Sequence, residues 1–292
     1  MAVNIKLSVF YLMEKGSAPL CRLRRLDYFM RYFRLFKTLI KFGFIRATAY
    51  PPSFFAAIIG KVLRIGLTLV FFQAIYLHTS ILAGWNYSDI LVLTASYFTV
   101  EAVIITTFHR NLMFWLPARL QDGSFDFFLT KPISPLFQTS FKIIDAFDIT
   151  ASSTSVILLW WYIFSKQIIT PSFLEIGVFL ILSAIAVIFV FSLLLIIASA
   201  SFWTITATGT GRLFESVFRA ARFPGDIFKG PARIALLYIV PVGLVVSAPA
   251  DVLLGKFVWS HISFLIIFTA ILSFTAFRFW NYALRHYSSA SS

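Results

Sequence analysis

The sequence predicts an all-α integral membrane protein with six transmembrane helices, a cytoplasmic amphipathic helix near its N-terminus and both termini in the cytoplasm. Of its 292 residues, 59% are hydrophobic and 13% charged, against about 25% charged in an ordinary soluble domain. The apolar residues fall into long runs, and about 20 in a row suffice to cross roughly 30 Å of hydrocarbon. The connections between runs alternate between bare and basic, the pattern of loops on opposite sides of a bilayer.

The first 50 residues read as a cytoplasmic N-terminal segment and residues 51–292 as the membrane domain. Lys6 precedes an apolar stretch that Glu14 and Lys15 interrupt before a signal-peptide core is complete, so no cleaved signal is expected. Cys21 is the single cysteine, which excludes an internal disulfide and a thiolate metal cluster; an ordinary thiol is expected there. In residues 28–44, Arg31, Arg34, Lys37, Thr38 and Lys41 recur every three to four positions and would form one polar, cationic stripe on a helix, with aromatic residues around the rest. Such a helix lies on a membrane surface, its cations against anionic lipid at about 1 kcal/mol each. Pro51 and Pro52 should then end it.

Spans are expected near residues 57–79, 89–108, 142–164, 173–201, 232–254 and 257–281. Lys61 and Arg64 fall inside the first and are expected to snorkel to the cytoplasmic surface. Thr79 to Ser88 carries no Lys or Arg, whereas His109 to Phe141 is a long polar connection. Counted loop by loop, 23 of the Lys and Arg residues fall on one side and two, Lys166 and Lys256, on the other. That division places both termini inside a bacterial plasma membrane. It also accounts for the formal charge of +13 without nucleic acid.

Nothing in the chain reads as an enzyme centre. His-Glu-x-x-His and Gly-x-Ser-x-Gly are absent, the four histidines are scattered, and no Gly-x-x-x-x-Gly-Lys-Ser/Thr run exists to cradle ATP phosphates. The competing class is a lipid-modifying membrane enzyme using Asp145 and Asp148 as a metal site, but metal-dependent chemistry calls for more oxygen ligands than one pair. The two acids suit the start of the third helix better. Glu101 lies near the middle of the second span, where an ionisable residue lines a path or hydrogen-bonds a neighbouring helix. In the first case it would favour a cationic or polar-headed amphiphile. Pro241 and Pro249 interrupt the fifth run, so the part carrying Asp251 either re-enters as an outer gate or belongs to a kinked span. In the second-to-third connection, Arg119-Leu120-Gln121 reads as a short amphipathic helix, Asp122-Gly123 as a turn, and Phe125, Phe127, Phe128 and Leu129 as more apolar surface than water tolerates.

Residues 120–133, Leu-Gln-Asp-Gly-Ser-Phe-Asp-Phe-Phe-Leu-Thr-Lys-Pro-Ile, resemble the "arginine, x, glycine, x, x, aspartate, x, x, leucine, x, lysine, proline" segment of bacterial ABC-transporter permeases of the type-2 exporter class. Gly123, Asp126, Leu129, Lys131 and Pro132 match in register, while Gln121 stands where the family has arginine, with Arg119 the nearest cation. Residues 223–228, 239–242 and 248–255 resemble a second segment of that family, and residues 279–290 its C-terminus. The resemblance implies a permease that works with two ATPase subunits, which would bind ATP and magnesium, and with a second permease, identical or homologous. Arg119, Asp122, Gly123, Asp126, Leu129, Lys131 and Pro132 would form the element coupling it to an ATPase, with Arg31 to Lys41 as a secondary contact. The expected function is export of a hydrophobic or amphiphilic compound across the inner membrane, in the manner of multidrug efflux; drug-like cations, lipids and glycolipids all fit.

Overall fold

The computed structural model describes residues 18–48, 51–204, 207–234, 236–237 and 240–288. Residues 1–17, the side chain of Cys21, Ile239 and residues 289–292 lie outside the described residues. The chain divides into two compact units, residues 1–42 and 43–292.

The described part of the first unit belongs to helix α1 (Ala18–Thr48). Its predicted stripe forms, with Arg31, Arg34, Lys37 and Lys41 all exposed. Neighbours along the stripe support one another: the Thr38 hydroxyl donates to the Arg34 carbonyl at 2.8 Å, and the Lys37 ammonium sits 4.6 Å from the centre of the Phe33 ring.

The second unit is a helical bundle. Among the described residues, five helices are long and apolar enough to cross a membrane. They are α2 (Pro51–Tyr76), α3 (Tyr87–Gln121), α6 (Ala146–Ser165), α7 (Phe173–Ala200) and α11 (Trp259–Arg285). Between α3 and α6 lie the short α4 (Asp126–Leu129) and α5 (Pro135–Phe141). Local chemistry sets the starts: Asp145 caps α6 by accepting the Phe147 N–H at 3.0 Å, and Ser172 with Glu175 forms a capping box on α7. α7 packs on α11, where the Ser192 and Ser273 hydroxyls meet at 2.8 Å. α6 packs on α2 and α3, and the Trp160 indole donates to Thr99 at 2.9 Å. Arg119 to Gln121 end a short α-helical stretch, Leu116–Gln121, as expected; it continues α3 directly beyond the π-helical turn, with Pro117 in its first turn, where no helical N–H bond is required.

The fifth expected span, 232–254, is not one helix. It divides into α9 (Pro231–Ile234) and α10 (Val242–Leu253), separated at Pro241. α10 is wholly buried by the bundle, and its 12 residues extend about 18 Å, too short for a roughly 30 Å hydrocarbon layer. A segment that packs along α3 lies just before it. Helix α8 (Ala207–Ala220) and the turn after it follow α3 in the opposite direction: Gly211 against Met113, Glu215 beside His109, Phe218 on Tyr97, Phe223 on Phe72 and Asp226 at Trp85. The sequence hid this element because Arg212, Glu215, Arg219 and Arg222 lower its hydropathy below that of a span.

Two ion pairs show that the α9–α10 excursion leaves from and returns to the same end of the bundle. Arg233 pairs with Asp226 at 2.7 Å and Lys256 with Asp89 at 2.6 Å. Consequently the loop-by-loop charge count changes. Lys229 and Arg233 belong to the end holding Trp85, and Arg219 and Arg222 lie between the ends.

Two π-helical turns, Ile105–His109 and Asn111–Trp115, interrupt α3. Such turns free backbone groups and collect at functional places. Asn111, fully buried, uses its amide there: it donates to the Thr107 and Ile143 carbonyls at 2.9 and 2.8 Å and accepts the Ile143 N–H at 2.8 Å. One side chain thereby closes the α3–α6 connection. Asn111→Leu should lower unfolding free energy by about 1–3 kcal/mol by stranding buried polar groups, read from unfolding in detergent; unchanged stability would show that the clamp contributes nothing.

Candidate functional site

α2, α3 and α8 enclose a cavity of about 250 Å³ lined by Arg64, Tyr97, Glu101, Ile104, Ile105, His109, Phe214, Glu215, Phe218 and Arg219. Its centre is an ion pair. The Arg64 guanidinium holds both Glu101 carboxylate oxygens, with Nη1 to Oε1 at 3.2 Å and Nη2 to Oε2, while the Tyr97 hydroxyl donates to Oε1 at 3.0 Å. Arg64 also lies 5.0 Å over the Phe98 ring. Glu101 is thus at the cavity wall and simultaneously bonded to a neighbouring helix. Lys61 pairs with Asp148 at 3.2 Å. Each cation of α2 thus has a carboxylate opposite it.

His109 approaches Glu215 at 3.3 Å across the α3–α8 seam. On α8, among the described residues, Arg219 bonds only to its own helix, through the Glu215 carbonyl and the Ser216 hydroxyl, at 3.2 and 3.4 Å. Arg222 donates to the Arg219 carbonyl and lies 5.7 Å from the Tyr97 ring centre. A second cavity of about 390 Å³, between α2 and the end of α8, is lined by Arg64, Leu67, Thr68, Phe71, Phe72, Arg222 and Phe223.

At one end of α3 the chain reverses through the segment singled out by its sequence. Asp122 pairs with Arg119 at 2.8 Å and accepts the Ser124 N–H at 2.9 Å and its hydroxyl at 2.5 Å. The Ser124 bonds first, then Arg119, hold the Asp122 carboxyl below the usual carboxylate range. Gly123 has φ +69°, a left-handed conformation that favours glycine. The apolar residues that follow mostly turn inward, contrary to the expectation that they all need an outside surface. Phe125 is fully buried against Phe202 and Tyr287, and Phe128 stacks edge-on to Trp115 with Lys131 4.4 Å above it. Asp126 and Leu129 are half-buried; Lys131 and Pro132 are exposed. Phe127 stands out at 71% exposure.

Asp145 and Asp148 do not converge: the first pairs with Arg110 at 2.8 Å, the second with Lys61. Among the described residues no cluster of three or more potential ligands could hold a metal. α10 runs unbroken through Pro249, the break falls at Pro241, and Asp251 is buried on the same helix. Sequence reading missed Arg64 as the partner of Glu101, although opposite charges in adjacent apolar runs were the available signal. It also missed Tyr97, Asn111 and α8.

A multi-pass helical bundle with charged cavities between its long helices is the architecture of a membrane permease. The profile of the ABC-2 family transporter proteins matches residues 62–291, and the chain belongs to that family; it is an ABC-2 type permease. No curated protein and no solved structure matches it.

Arg64→Gln should destabilise the bundle because it leaves Glu101 buried without its cation, by about 1–3 kcal/mol. Adding Glu101→Gln should restore part of the loss. Unfolding midpoints of both single variants and the double variant measure the coupling, and additive losses would mean that the pair is energetically idle.

Proposed function

We propose that the chain is the membrane-spanning subunit of an ATP-driven exporter in the bacterial inner membrane, with both termini cytoplasmic. It works with two separate ATPase subunits, which bind ATP and magnesium, and with a second permease, identical or homologous. Its substrate is hydrophobic or amphiphilic. Six crossings follow if α8 is the fifth, with α9 and α10 re-entering from the outer side. Moving four cations of the α8–α9 region off the cytoplasmic side leaves the remaining asymmetry strong and of the same sign.

The observation that carries this reading is the outward polar face of α8. Arg212, Ser216 and Arg219 are exposed, and Arg219 lines the cavity that holds Glu101. A charged group against hydrocarbon costs about 2.5–3.5 kcal/mol on insertion scales. The face therefore belongs against protein or water, and a second permease with a path between the two supplies both. Glu101 lines that path. Pro241, Pro249 and Asp251 belong to its outer gate.

The ATPase acts on the turn around Gly123. Asp122 with Arg119 stiffens it, and Phe127, with Lys131 and Pro132 beside it, is the apolar projection that enters a groove of the ATPase. The α1 stripe at Arg31, Arg34, Lys37 and Lys41 rests on anionic lipid.

Purification of the full chain from its native membrane should bring a Walker-motif ATPase with it. Phe127→Asp should leave the chain folded but abolish that association and the transport it drives. Recovery of the ATPase with the variant at wild-type yield would refute the assignment of Phe127. Export by Glu101→Gln with unchanged rate and substrate preference would remove Glu101 from the path.

A further inference from the structure

We infer that the crevice between α2, α3 and α8 selects an anionic amphiphile, a compound bearing a phosphate or similar oxyanion on an apolar body. The charges of the crevice are not evenly matched. Glu101 is taken by Arg64 and Tyr97 and Glu215 stands 3.3 Å from the His109 imidazole, while Arg64, Arg219 and Arg222 line the two cavities, so guanidinium groups outnumber carboxylates there.

An incoming anion meets guanidinium groups. Among the described residues, Arg219 and Arg222 have no carboxylate within ion-pair distance; their bonds go to carbonyls, one serine hydroxyl and one aromatic face. Arg64 adds a buried Nε–H that has no acceptor among the described residues. A guanidinium in a low-dielectric site needs a counter-charge, and its planar fork fits an oxyanion with two parallel hydrogen bonds.

The geometry extends this to an amphiphile. Arg64 borders both the 250 Å³ and the 390 Å³ cavities, with Arg219 on the first and Arg222 on the second. The second cavity is otherwise mostly apolar, with Leu67, Phe71, Phe72 and Phe223. A headgroup held at the arginines would leave its chain along these residues. The same polarity explains why Glu101, though acidic and central, does not make the site cation-selective: its charge is spent on orienting Arg64.

The role of this site in export rests on the transport reading above, but its test does not, since binding is measured without nucleotide or ATPase. The purified full-length chain in a non-ionic maltoside is titrated with dodecyl phosphate, dodecyltrimethylammonium and inorganic phosphate, with bound species counted by native mass spectrometry. Dodecyl phosphate should bind at least about tenfold more tightly than either of the others. Arg219→Gln combined with Arg222→Gln should erase that preference, Arg219→Lys combined with Arg222→Lys should keep only part of it, since charge remains but the two-pronged geometry is lost, and Lys229→Gln should leave it intact. Equal binding of the ammonium amphiphile, or unchanged binding by the glutamine variant, would overturn the inference. Inorganic phosphate binding as well as dodecyl phosphate would also overturn it, since the recognised group would then be a free anion.

Discussion

Every charge within the apolar bundle has to be answered by another group of the chain, because hydrocarbon offers neither water nor counterions. The Arg64–Glu101 pair is where this constraint is most strongly felt. It joins the middle of α2 to the middle of α3, recruits Tyr97, and makes a polar wall in an otherwise aromatic interior. Lys61 with Asp148 repeats the arrangement toward α6, so α2 is held to two neighbours by charge as well as by packing. A pair of this kind adds little net stability compared with well-packed apolar residues, but it penalises any other register of the helices, since a slip by one turn would strand both charges.

The same constraint explains what was legible in the sequence. Four of the expected spans coincide with long helices within a few residues, and the second with the N-terminal part of α3, because uninterrupted apolar runs have no stable alternative to a helix. The cationic stripe of α1 was visible for a related reason: period alone places Arg31, Arg34, Lys37 and Lys41 together. The Gly123 turn announced itself through Asp-Gly chemistry. α8 was not legible, because its arginines and Glu215 lower its hydropathy, and a hydropathy reading does not see the cavities that its charged face lines. The apolar run 232–254 is divided at Pro241, and its part from Val242 to Leu253 is buried by protein, so the hydrophobicity of that part reports on the core.

Site residues divide in the same way. Glu101 could be singled out because a lone acid in an apolar run is conspicuous; its engagement by Arg64 depended on which helices touch. Phe125 and Phe127 are two residues apart in a run of similar composition, yet one is fully buried and the other 71% exposed. Only the left-handed backbone at Gly123 and the short α4 decide which ring turns inward.

The clamp made by Asn111 gives the α3–α6 connection an unusual mechanical character. Its two feet are fastened to each other by two hydrogen bonds through one amide, and its crown is pinned by Phe125 against Phe202 and Tyr287. An arch tied at its base and wedged at its crown resists bending. A load applied at its tip would be delivered to α3 and α6 as rotation of one stiff lever, and the two adjacent π turns of α3 are the place where that lever can pivot.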